Sequence, residues 1–266
     1  MKICLMNKTH LILNYLNYFF KARNQHGIHS PFVYELYNNV IKDQTPFYVF
    51  SDIESIRSKL LLSNIQIEIN DFGAGSTVNK SNRRNISDIA KNSLKAPKYA
   101  QLLFRLVNRF KPANVLELGT SLGVSTLYLA GSNSKTQVTT VEGCPNISKV
   151  AKINFDKLGL KNIKLVNQPF ETFLPNYLKT VSTLDFVFFD GNHTKEATLN
   201  YFNLCLEKTN QHTIFVFDDI YWSKGMNEAW NEIKQHPKIT TTIDLFAIGI
   251  VFFNPDLSKE NFMLRY

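Results

Sequence analysis

The chain is poor in cysteine. Cys4, Cys144 and Cys205 are scattered through 266 residues with no paired spacing. A sparse, odd set argues against a disulfide framework or a cysteine zinc site and suits a reducing cytoplasm, the expected location. No apolar run approaches the roughly 20 residues that cross a bilayer, so no integral membrane segment is expected. Met1 to Phe20 is apolar only in patches, interrupted by Asn7, Lys8, His10, Asn14 and Asn17. It lacks a small-residue cleavage site and reads as an amphipathic helix rather than a secretion signal. Internal repeats and low-complexity tracts are missing too. A dense basic patch is lacking: the net charge is +8, but the closest grouping is Arg83-Arg84 with Lys80 nearby. Such a charge permits an anionic partner such as RNA or a membrane without identifying one, and RNA stays a secondary expectation.

An ordinary hydrophobic content of 44% implies a buried core. Residues 1–96 read as a helical extension or lid, and residues 97–266 as the main domain. Within the extension, Ser30-Pro31 pairs an N-cap with proline at the first helical position, opening a helix through Val40. The alternating run Ile65 to Ile69 leads into Gly73, Gly75 and a polar basic loop. Leu102, Leu103, Leu106, Val107 and Phe110 then recur at helical spacing over 98–110.

After Pro112 strands and helices alternate. The strand candidates are 114–118, 137–141, 163–166, 184–189 and 213–217. Helical patterns over 125–130, 147–158, 170–178 and 194–206 lie between them, and another covers 222–233. Uninterrupted apolar runs such as Phe186-Val187-Phe188-Phe189 imply burial on both faces, as in parallel sheets. Two further strands, 240–245 and 248–253, would close the sheet with an antiparallel hairpin. The expected class is therefore α/β: Rossmann-like and doubly wound, with a mostly parallel seven-stranded sheet.

Val115 to Thr126 joins a buried strand to a helix through Gly119-Thr120-Ser121-Leu122-Gly123. Glycine lets the backbone turn sharply and approach a ligand, and the free amides of the helix start favour an anion. Dinucleotide loops read G-x-G-x-x-G; this one reads E-x-G-x-x-x-G, without the third glycine. Glu142, ending Val138-Thr139-Thr140-Val141, follows at the second strand, where a carboxylate can accept from both hydroxyls of a ribose. A loop-capping acid with no ligand is the plainer alternative. The segment Glu117-Leu118-Gly119-Thr120-Ser121-Leu122-Gly123-Val124-Ser125 resembles the first motif of class I S-adenosylmethionine-dependent methyltransferases, and within them the catechol O-methyltransferase-like branch. That resemblance implies a cofactor site made from Glu117, Gly119, Thr120, Ser121, Gly123, Ser125 and Glu142. A second glycine-bearing segment, Asp71 to Ser76, lacks a following apolar helix and reads as a turn or substrate-side loop.

Asp190 and His193 sit just past the buried strand Leu184–Phe189, and Asp218-Asp219 end the next one. Neighbouring strands lie about 4.8 Å apart, so these acids would converge at their carboxyl ends. Three carboxylates together repel, and a hard divalent cation, Mg²⁺ by preference, would offset them. The resemblance extends to this cluster: metal-dependent O-methyltransferases place acids at the positions of Asp190, Asp218 and Asp219. The match covers about residues 97–253. It departs where Asp-x-x-Lys becomes Asp190-x-x-His193, which is similar to the branch methylating macrolide sugars, with histidine as base. The resemblance thus implies Mg²⁺ on Asp190, Asp218 and Asp219, proton removal by His193, and a small hydroxylated acceptor. Helix capping by Asp218-Asp219 and a polar turn at Asp190–His193 are the structural alternatives, with Asp190 then serving the cofactor alone. His26 and His29 have no carboxylate or cysteine at ligand spacing and read as a turn between helices. RNA methylation on the same fold and a non-enzymatic cofactor-binding protein are the rival functions. A homodimer is compatible with the sequence but not specified by it.

Overall fold

The computed structural model describes residues 2–69 and 82–266, and side chains from Thr9 onward. The expected turn at Asp71–Ser76 lies outside the described residues. In chain order the elements are α1 (Lys2–Lys21), α2 (Pro31–Leu36), α3 (Tyr48–Leu61), β1 (Gln66–Glu68), β2 (Arg83–Asn85), α4 (Ile86–Ser93), α5 (Pro97–Phe110) and β3 (Asn114–Leu118). There follow α6 (Val124–Gly131), β4 (Gln137–Glu142), α7 (Pro145–Leu158), β5 (Ile163–Asn167), α8 (Phe170–Thr180), β6 (Phe186–Phe189) and α9 (Lys195–Leu206). The chain closes with β7 (Ile214–Asp218), α10 (Lys224–Gln235), β8 (Thr241–Asp244), β9 (Ile248–Phe252) and β10 (Glu260–Met263). No helix among the described residues is long and apolar enough to cross a membrane.

The chain divides into two compact units, residues 44–176 and residues 1–43 with 177–266. In the first, β3, β4 and β5 run parallel in that order. Their register sets Glu117 beside Thr140 and Glu142 beside Asn167. Helix α5 turns Leu102, Leu103, Leu106 and Val107 inward, and Lys111, in the left-handed region at φ 49°, ends it. The run 65–69 becomes β1, paired antiparallel with β2, so Arg83 and Arg84 lie on a strand rather than in a loop.

In the second unit the order is β10-β8-β9-β7-β6. Strands β6 and β7 are parallel and buried along their whole length, as their uninterrupted apolar runs require. Phe189 and Phe217 stack at 4.4 Å between them. Strand β9 runs antiparallel to both β7 and β8, which is the expected closing hairpin. Strand β10 was not expected. It pairs parallel with β8 at the edge and brings the fold's mostly parallel sheet to eight strands rather than seven. Two of its four residues are polar and only Phe262 is buried, so no apolar run marks it.

Ser30 caps α2 as expected, accepting from the Val33 amide, and the helix continues as a π turn over Tyr37–Ile41. Gln25–Gly27 is a 3-10 turn capped by Asn24; Ile28 is buried while His26 and His29 are exposed. Both histidines lie outside the one candidate metal cluster found among the described residues.

Gly249 has a packing reason. A Cβ there would lie 2.6–2.9 Å from three atoms of the buried Trp230 ring. The Gly249→Ala variant should lose about 1–3 kcal/mol in urea unfolding; unchanged stability would show that the indole shifts freely.

Candidate functional site

Within residues 44–176 the glycine loop is clamped from behind. Glu117, on β3, is fully buried. Its Oε2 accepts hydrogen bonds from Thr126 Oγ1 at 2.5 Å and Thr140 Oγ1 at 2.6 Å. The Thr120 hydroxyl meets Thr140 at 2.6 Å, extending the network under the loop. Glu117 Oε1 is buried with no hydrogen-bond partner among the described residues. Burial pushes this carboxyl up to about 7, although the Thr126, Thr140 and Ser125 hydroxyls pull it down; Glu142 adds a small upward push.

The loop itself departs from ordinary backbone. Gly119 sits at φ 114°, Ser121 at 47° and Gly123 at 84°. The amides of Gly119 and Thr120 both donate to the Val141 carbonyl at 3.1 Å. Gly123 also allows close packing, because a Cβ would lie 2.5 Å from Phe155 of α7. Glu142 clamps the front: it accepts from Ser121 N and Cys144 N, each at 2.9 Å. Burial raises its carboxyl, against those backbone donors. Glu142 thus caps the loop with its carboxylate. The Ser121 hydroxyl meets Ser93 Oγ of α4 at 2.8 Å.

Within the other unit the acids gather. Asp190 follows β6, Asp218 ends β7, and the parallel register brings Phe189 beside Phe217. Ligand atoms of Asp190, His193 and Asp218 all lie within 4.8 Å of one another. His193 Nε2 stands 3.9 Å from Asp190 Oδ1. Asp218 is buried, whereas Asp190 and His193 are partly open to solvent. Asp219 is not in this group; its backbone lies at φ 52°, and its amide donates to the Ala247 carbonyl at 2.8 Å. The helix-capping alternative for Asp218-Asp219 is excluded, since Ser223 caps α10 by accepting from Met226 N at 3.1 Å. Asn192, at φ 51°, makes the turn that returns the chain to His193.

A family model described as a methyltransferase domain matches residues 116–220. Over those residues the chain is similar to a methyltransferase domain. Its architecture agrees with solved methyltransferases. The S-adenosylhomocysteine-bound PaMTH1 of Podospora anserina aligns at TM-score 0.57 and 15% identity, over 85% of this chain and 97% of that one. An O-methyltransferase of Bacillus cereus in complex with S-adenosylhomocysteine aligns at 0.55 and 16%, over 82% and 94%. Among curated proteins, catechol O-methyltransferase of Niastella koreensis is 29% identical over 126 residues, 46% of this chain. The chain spans about half of that relative's length, 55%.

At the glycine loop, the side chains of Glu117 and Thr120 hold the turn from inside, and Ser125 is buried at the start of α6. Gly119, Ser121, Gly123 and Glu142 form the turn and its front clamp. Sequence reasoning missed Thr126 and Thr140. The second was within reach, because β3–β4 register pairs it directly with Glu117.

A buried acid with a raised titration point has a definite pH signature. Between about pH 4.5 and about 7, folded Glu117 keeps a proton that the unfolded chain releases. Stability should therefore fall as pH rises through that window, by about 3 kcal/mol in total from this group. Glu142 acts in the same direction, so the difference between the wild type and Glu117→Gln isolates Glu117. Urea unfolding across pH should show the flatter profile in the variant; equal slopes would place the proton elsewhere.

Proposed function

We propose that this domain transfers a methyl group from S-adenosylmethionine to a hydroxyl oxygen of a small acceptor, with help from a divalent cation. The observation that carries the oxygen and cation assignments is the convergence of Asp190, His193 and Asp218 to within 4.8 Å. A catechol O-methyltransferase among the relatives, and an O-methyltransferase among the structural neighbours, support the same reading.

The loop Gly119–Gly123 fits a sulfonium nucleoside. Its left-handed turns bring backbone close to a ligand, and the buried Glu117 Oε1 lacks a partner among the described residues. Glu142 would accept from the ribose hydroxyls, while Glu117 and Thr120 hold the loop rigid. Asp190 and Asp218 would hold the cation. When bound, the cofactor supplies an electrophilic methyl group, and the cation supplies positive charge that favours an ionised acceptor. His193 removes the acceptor's proton at an imidazole nitrogen, the side chain best suited to proton exchange near neutral pH.

A second reading follows from one observation: His193 stands in the cluster where the third acid was expected. As a ligand it would make a mixed nitrogen and oxygen donor set, better suited to Mn²⁺ than to Mg²⁺.

Calorimetry separates the class from its rivals. Adenosylmethionine should bind and NAD should not; the reverse would remove the methyltransferase reading. With an active acceptor in hand, Asp218→Ala should abolish turnover and leave cofactor affinity largely intact, and full activity in EDTA would remove the cation. In His193→Ala, a base role predicts a turnover loss of about 10²–10⁴-fold at unchanged Mn²⁺ affinity. A ligand role predicts weaker Mn²⁺ binding instead.

A further inference from the structure

Helix α1 carries an apolar face that its own unit leaves largely open. Its inner side is anchored: Tyr18 and Ala22 are buried, and the Tyr18 hydroxyl donates to the Leu264 carbonyl at 2.5 Å. On the outer side stand Ile12, Leu13, Tyr15, Leu16, Phe19 and Phe20, with Leu13 67% and Phe20 79% exposed. At about 100° per residue these six span roughly 160° of the helix surface. Six of the twelve strongly exposed large apolar side chains among the described residues thus fall within nine positions. Scattered exposure would need no explanation, but a contiguous patch does.

The charge around the patch has one sign. Residues 1–34 contain Lys2, Lys8, Lys21 and Arg23 and no Asp or Glu. The Arg265 guanidinium lies 5.7 Å from the Phe19 ring, adding a cation at the patch itself. A second copy of this helix would set like charges together, and one face of six side chains falls short of the roughly 20–30 residues a stable partner contributes. Aromatic and aliphatic groups beside cations, on a helix that cannot span, match the surface of an anionic bilayer.

We propose that α1 lies in the headgroup plane of an anionic membrane, inserting Leu13, Leu16, Phe19 and Phe20 while Lys21, Arg23 and Arg265 meet lipid phosphates. The test is flotation of the purified full chain with two vesicle types: an equal mixture of phosphatidylcholine and phosphatidylglycerol, and phosphatidylcholine alone. The protein should float with the mixed vesicles at low salt, at least about tenfold better than with the neutral ones. High salt, which shortens the screening length to about 3 Å, should release much of it. Leu13→Glu with Phe20→Glu should cut binding at least tenfold, since each side chain withdrawn from the interface is worth about that factor. The same change at the exposed Leu62 should have little effect. Lys21→Glu, which leaves the apolar face intact, should weaken binding to mixed vesicles alone, even if the double variant folds poorly. Absence of flotation at low salt, or equal binding to both vesicles, would overturn the proposal. So would a dimer in sedimentation velocity that the double substitution dissociates, which would assign the face to a second copy.

Discussion

A carboxylate sealed away from water must be held by donors or carry a proton, and Glu117 does some of each. Two threonine hydroxyls converge on one oxygen while burial keeps the group protonated toward neutral pH. The glycine loop depends on this arrangement. Thr140, the register partner of Glu117, also bonds Thr120, so strand pairing is transmitted directly into the turn. Glu142 then grips Ser121 from the other side. A segment with three residues at positive φ would relax if either clamp were lost; held between them, it keeps its shape before any ligand arrives.

Backbone strain follows the candidate chemistry. Ser121, Asn192 and Asp219 are three of the five non-glycine residues at positive φ among the described positions. One lies in the glycine loop and two beside the acid cluster. Each such conformation costs of order 1–3 kcal/mol and persists only where surrounding contacts over-determine it. Ser121 has Glu142 and Ser93 to hold it, and Asp219 has the Ala247 carbonyl. Asn192 reaches the Tyr201 hydroxyl at 3.3 Å.

What the sequence made legible was whatever burial wrote into it. Strand β3 has the expected bounds, and β6 and β7 were marked by apolar runs that only two-sided burial explains. Asp190 and Asp218 were readable because an acid directly after such a run must emerge at the strand's carboxyl end. Polar edge strands carry no such mark: β10 buries only Phe262, and β2 reads Arg-Arg-Asn. His193 lies in the cluster and Asp219 outside it, next to left-handed backbone at residues 192 and 219. Composition and spacing say nothing of those. Thr126 escaped notice for a related reason, since a threonine inside an apolar helix looks like neutral filling until its hydroxyl is seen on Glu117.

The outward face of α1 is fixed from the inside as well. Asp244, buried at the end of β8, accepts from the Tyr221 hydroxyl, the Trp230 indole and the Phe246 amide. That amide bond holds Phe246 in the left-handed region at φ 69°, stacked on Tyr221 at 5.2 Å. Tyr15 and Tyr18 of α1 then pack on Phe246 at 5.1 and 5.3 Å. Rolling the helix to bury Leu13 and Phe20 would break both aromatic contacts and the Tyr18 hydrogen bond, stranding a hydroxyl and a carbonyl that are now buried together. Within this unit the apolar face therefore cannot be hidden by turning the helix over; its exposure is a consequence of what the opposite side is made to hold.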